Sequence, residues 1–68
     1  MKREDIKRVV DDIVGVPSIV EATLEMNEYY IYTEVWQLTI EQLDRIREQM
    51  KISSISVDGG RIMLTAKV

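Results

Sequence analysis

Glu21 and Glu34 are the first candidates for chemistry in this chain. If their segments pair as a hairpin, the two carboxylates stand opposite one another, and such a pair can do acid–base work. No nucleophile or electrophilic group accompanies them, so the pair reads as a surface arrangement that needs a nearby cation, supplied by Arg61 or Lys67. Asp58-Gly59-Gly60 looks like the opening of a phosphate or calcium loop, but the ligand spacing that either requires does not follow. Ser53, Ser54 and Ser56 have no base partner for nucleophilic work. There is no His and no Cys, which removes the commonest general base near neutral pH and the thiolate ligand. The expectation is a non-enzymatic protein with no cofactor and no metal.

The other chemistry-bearing feature is aromatic. Tyr29, Tyr30, Tyr32 and Trp36 are all the rings in the chain, and they fall within one short stretch, NEYYIYTEVW. Small domains usually spread their rings through the core. Which way these rings face therefore decides whether they build the core or a binding surface.

The elements around them set that direction. Lys2 to Val14 reads as a helix, with Ile6, Val9, Val10, Ile13 and Val14 on one stripe. Gly15 and Pro17 end it. Glu4–Arg8, Lys7–Asp11 and Arg8–Asp12 are spaced to pair on its wet face. Ser18 to Met26 alternates as a strand. Asn27-Glu28 reads as a tight turn, and Tyr29 to Trp36 as the returning strand. Thr39 and Gln42 form a capping-box pattern before a second helix, with Leu43, Ile46 and Met50 inward. Ile52 to Asp58 and Arg61 to Val68 form a hairpin about Gly59-Gly60. Its register pairs Asp58 with Arg61, Ser56 with Met63, Ile55 with Leu64 and Ser53 with Ala66.

The order α-β-β-α-β-β predicts an α+β fold, with two helices on one face of a four-stranded, mostly antiparallel sheet. Moving the last strand to the front would give a ferredoxin-like β-α-β-β-α-β order. The expected architecture is thus a circularly permuted ferredoxin-like sandwich, with strands in spatial order 3-4-2-1. Residues 1–68 read as a single domain, and a chain this short buries only about 60% of its unfolded surface.

A two-residue turn pairs Met26 with Tyr29, Leu24 with Ile31, Ala22 with Thr33 and Val20 with Val35 on the helix-covered face. Glu25–Tyr30, Thr23–Tyr32, Glu21–Glu34 and Ile19–Trp36 then share the open face. A slip of one residue would exchange the faces and bury Glu34, at a cost of several kcal/mol if unpaired. The open face is expected to collect Ile19, Tyr30, Tyr32, Trp36, Arg61, Met63 and Lys67. These are types favoured at protein interfaces. The expected role is a protein-interaction or regulatory module, most simply a homodimer, with a hetero-partner as the other form. The alternative is single-stranded nucleic acid stacking on Tyr30 and Tyr32. Glu21, Glu25 and Glu34 on the same face, a net charge of −3 and the lack of an RNP-type run argue against it.

Charged residues at 31% and apolar residues at 46% are the composition of a folded domain. No apolar run reaches the ~20 residues of a membrane span, and the MKREDIKR start has no apolar h-region. A membrane role is not expected. A cytoplasmic location is, in keeping with the lack of Cys. Size and composition also suit accessory or regulatory proteins of phages and mobile elements.

Overall fold

The structure, a computed structural model, describes residues 2–25 and 27–67. The chain runs α1 (Arg3–Val14), β1 (Ile19–Ala22), β2 (Glu28–Tyr32), α2 (Ile40–Gln49), β3 (Lys51–Asp58) and β4 (Arg61–Lys67). The strands form one sheet in the order β1-β2-β4-β3, and every neighbouring pair is antiparallel. The architecture is α+β, with two helices and an open four-stranded antiparallel sheet.

Local chemistry sets the helix ends. The Asp5 carboxylate accepts from the Lys2 amide at 3.3 Å, where a negative charge also suits the helix dipole. Gly15 closes α1 with φ 82°, its amide donating to the Asp11 carbonyl at 2.8 Å. A Cβ at Gly15 would meet no atom within 4 Å, so the cost of a side chain there is conformational. Gly15→Ala is expected to destabilise the fold by roughly 1–2 kcal/mol, read as a lower urea midpoint with an unchanged slope. At α2 the expected box is present: Thr39 Oγ1 accepts from the Gln42 amide at 3.0 Å, and Gln42 Oε1 accepts from the Thr39 amide at 2.9 Å.

The core lies between sheet and helices. Ile6 and Val10 of α1, Ile46 of α2, Val20, Ile31 and Leu64 are fully buried, with Ala66 and Met50 beside them. Tyr29 packs against this core from the covered face of β2. The β1–β2 register differs from the expected one. Val20 faces Ile31 rather than Val35, and Ala22 faces Tyr29 rather than Thr33. The expected Met26–Tyr29 pair, and the core placement of Met26 and Val68, lie outside the described residues.

The slip is an even number of residues, so every side chain still within the paired strands, Ile19–Ala22 and Glu28–Tyr32, stays on its expected face although it has a different neighbour. Its cause is local. Thr23 Oγ1 accepts from the Glu25 amide at 2.9 Å, a turn that draws the chain off the strand after Ala22. Asn27 takes a left-handed conformation, with φ 61°. Leu24, expected in the core, is therefore fully exposed.

The β3–β4 register is the expected one from Asp58–Arg61 to Ser54–Thr65. It then breaks at Ser53, so that Ile52, not Ser53, faces Ala66. This bulge turns Ile52 against the core in place of a hydroxyl. The helices do not reach the far half of β3. Ile55 and Val57 lie on the covered side by register, yet they are 45% and 75% exposed.

Candidate functional site: the helix-free sheet face

Alternation along each strand assembles this face row by row. Ile19, Tyr32, Met63 and Ser56 form one row across the four strands, and Glu21, Tyr30, Thr65 and Ser54 the next. Glu28 pairs with Lys67 at one end of the sheet. Arg61, beside Asp58, lies at the other.

Arg61 is fixed on two sides. Its guanidinium stands 4.3 Å from the Tyr32 ring centroid, a cation–π distance. It also donates to the Glu34 carboxylate in an ion pair whose side chains are each one-third exposed. Glu34 is positioned by its backbone, which takes φ 60°, a conformation that only glycine adopts without strain. The reason lies one residue earlier. The amide and the hydroxyl of buried Thr33 both donate to the Ile62 carbonyl, at 3.0 and 2.9 Å. The Ile62 amide then donates past Glu34 to the Val35 carbonyl at 2.8 Å. The regular ladder ends here, and the chain turns away from β4.

Of the expected site residues, Ile19, Tyr30, Tyr32, Arg61, Met63 and Lys67 occupy the helix-free face by register. Trp36 does not. β2 ends at Tyr32, and Trp36 lies in the connection to α2, 77% exposed. The Glu21–Glu34 opposition is also absent. Glu21 pairs with Tyr30, and Glu34 pairs with Arg61. Glu25–Tyr30, Thr23–Tyr32 and Ile19–Trp36 dissolve with the same register change, Ile19 facing Tyr32 instead.

Leu24 and Glu28 were not expected in this region. Leu24, with Thr23 and Glu25, rims a shallow depression floored by Glu21, Tyr30 and Tyr32. The signal for it was Thr23 followed two residues on by Glu25, a side-chain-to-backbone turn that competes with a strand.

Among the described residues, no group of three or more Asp, Glu, His or Cys side chains is placed to hold a metal ion. Likewise, no described helix is long and apolar enough to cross a membrane. The chain matches no protein-family model, no curated protein and no solved structure.

Proposed function

We propose that this chain is a non-enzymatic, cytoplasmic protein-interaction module whose helix-free sheet face is the contact surface, and that a second copy of the chain is its occupant. The carrying observation is the row Ile19–Tyr32–Met63, with Arg61 already held over Tyr32 by Glu34. Aromatic, Met and Arg groups are those enriched in interface cores. A side chain fixed before binding loses less entropy on contact.

The charge layout fits a copy of itself. A twofold axis parallel to the strands, between two face-to-face sheets, sets β2 of each copy over β4 of the other. Tyr32 then lies over Met63 of the partner subunit, and Glu28 over Lys67 of the partner subunit. The nucleic-acid reading is weaker, because Arg61 is neutralised by Glu34, and Glu21 and Glu28 share the face.

The finer architecture belongs with this reading. Strand order and antiparallel sense both agree with a ferredoxin-like sandwich in which β4 has been moved from the front of the chain to its end. Fold alone carries no function.

Sedimentation equilibrium over a concentration series tests the contact. The average mass is expected to rise above that of one copy. Tyr32→Ala, with its fold checked by circular dichroism, is expected to lower the mass reached at every concentration. A mass that Tyr32→Ala leaves unchanged removes the face from the reading. Salt-sensitive binding of an oligonucleotide, lost in Tyr32→Ala, would put the nucleic-acid reading in its place.

A further inference from the structure

The two edges of the sheet are finished differently. Thr23 donates from its amide to the Glu28 carbonyl, so alternation turns the carbonyls of Val20 and Ser18 outward from β1. Both are occupied. Arg3 Nε donates to the Val20 carbonyl at 2.6 Å, and Lys7 Nζ to the Ser18 carbonyl at 2.7 Å. Helix α1 thus seals this short edge with two cationic side chains.

The β3 edge has no such seal among the described residues. The amide and carbonyl of Ile62 both bond toward β2, so the neighbouring Arg61 and Met63 bond toward β3. The two-residue turn Gly59-Gly60 accordingly makes Asp58–Arg61 and Ser56–Met63 the hydrogen-bonded pairs. The amides and carbonyls of Ile55 and Val57 are left pointing outward. Their side chains are also the exposed apolar groups on the covered side of the sheet. From Ile52 to Val57 the strand carries no charge. A long, uncharged edge with exposed β-branched residues is a template for another strand.

We infer that β3 pairs antiparallel with β3 of a second copy, about a twofold axis midway between the two Ser56 residues. The strand itself selects the occupant and the register. Centred on Ser56, Ile55 of each copy faces Val57 of the other, and both positions have outward backbone groups, so each pair exchanges N–H···O=C bonds. Ile55 and Val57 of both copies meet on the same side of the sheet. Ser54 faces Asp58 of the partner subunit, so no like charges oppose one another. Moving the centre to Ile55 would set Val57 against Ser53, and moving it to Val57 would set Ile55 against Gly59. Each keeps a single apolar pair, Ile55 or Val57 against itself, where the Ser56 centre gives two.

This contact is separate from the helix-free face, and the two axes are perpendicular. The axes do not meet, one lying between β2 and β4 and the other beyond β3, so with both in use the assembly grows past the dimer without closing. The test keeps them apart. Val57→Lys places a charge on an exposed side chain. Val57→Pro removes an amide that bonds nothing within the chain, a substitution that only a free edge tolerates. Either variant is expected to hold the mass in sedimentation equilibrium at the face-to-face dimer while wild type rises above it, whereas Tyr32→Ala retains the edge-paired dimer.

Amide hydrogen exchange gives an independent readout. Protection at Ile55 and Val57 is expected to rise at least tenfold with protein concentration, in wild type and in Tyr32→Ala alike. Unprotected exchange at both amides across the series, or a wild-type mass retained by folded Val57→Lys and Val57→Pro, would overturn the pairing. That result would leave the helix-free face untouched.

Discussion

Ile31→Ala is expected to leave the chain largely unfolded at room temperature. Ile31 is fully buried on β2, with Val20 of β1 on one side and Leu64 of β4 on the other. It stands in the same core as Ile6, Val10 and Ile46 of the two helices. Truncating a buried Ile to Ala removes about 2–5 kcal/mol, the larger values arising where the surroundings cannot collapse into the space. Here the space is bounded by hydrogen-bonded strands on both sides, so little collapse is available. The whole fold of a domain is worth only roughly 0.05–0.15 kcal/mol per residue, so one such loss is comparable with the total for this chain. Far-UV circular dichroism in a urea series is the measurement. Trp36 is exposed already in the folded chain and is a poor reporter of unfolding. A two-state curve with a folded baseline in water and a loss below 1 kcal/mol, compared with the ~2 kcal/mol lower bound for such a truncation, would show that the core repacks around the gap.

Asp11→Ala should have the second-largest effect, although Asp11 lies on a helix surface. Its carboxylate accepts from the Ser18 amide at 2.7 Å, the Ser18 hydroxyl at 2.6 Å and Lys7 Nζ at 2.8 Å. Ser18 is buried, so the substitution strands two donors away from water, at about 1–3 kcal/mol. It also releases Lys7, which holds the Ser18 carbonyl at the β1 edge. Asp11→Asn retains an acceptor oxygen and should recover part of the loss.

The same contacts give a pH signature. Burial pushes the Asp11 carboxyl up, but the hydrogen bonds from Lys7 and from the Ser18 hydroxyl and amide, with the Lys7 charge, outweigh it. Its pKa falls below the ordinary 3.8. A group depressed on folding stabilises in full above its unfolded value and loses that contribution as pH falls from 3.8 through the folded value. Stability of the wild type should therefore drop across that acid range more steeply than that of Asp11→Asn. Parallel acid limbs in the two proteins would show that Asp11 is not a source of the pH dependence.

The legible parts of the fold were those with strong local chemistry. Thr39 with Gln42, Gly15, and Asp58-Gly59-Gly60-Arg61 each fix a backbone conformation through a few neighbours. The positions of α2, the end of α1 and the β3–β4 register as far as Ser54–Thr65 could be read from them. The β1–β2 register could not. Alternation assigns faces but not partners, and Glu25 to Glu28 contain no Gly to impose a tight turn.

The candidate face was legible for the same reason and to the same extent. Tyr30, Tyr32 and Met63 follow from alternation, which an even slip preserves. Trp36 was misplaced because the break after Tyr32 comes from Thr33 bonding the Ile62 carbonyl, a contact between distant parts of the chain. The exposure of Ile55 and Val57 was hidden too. Nothing local tells how far α2 extends across the sheet.

The capping of β1 by Arg3 and Lys7 decides how a joined sheet would end. Pairing through β3 uses up the open edge of both copies and leaves a β1 strand at each outer margin. At those margins the carbonyls of Val20 and Ser18 are already taken by guanidinium and ammonium groups of α1. A further strand arriving there would have to displace two charge-assisted hydrogen bonds to reach those carbonyls. The chain thus carries one adhesive margin and one stopped margin. Such a polarity limits the joined sheet to two copies and opposes strand-by-strand growth into a fibril.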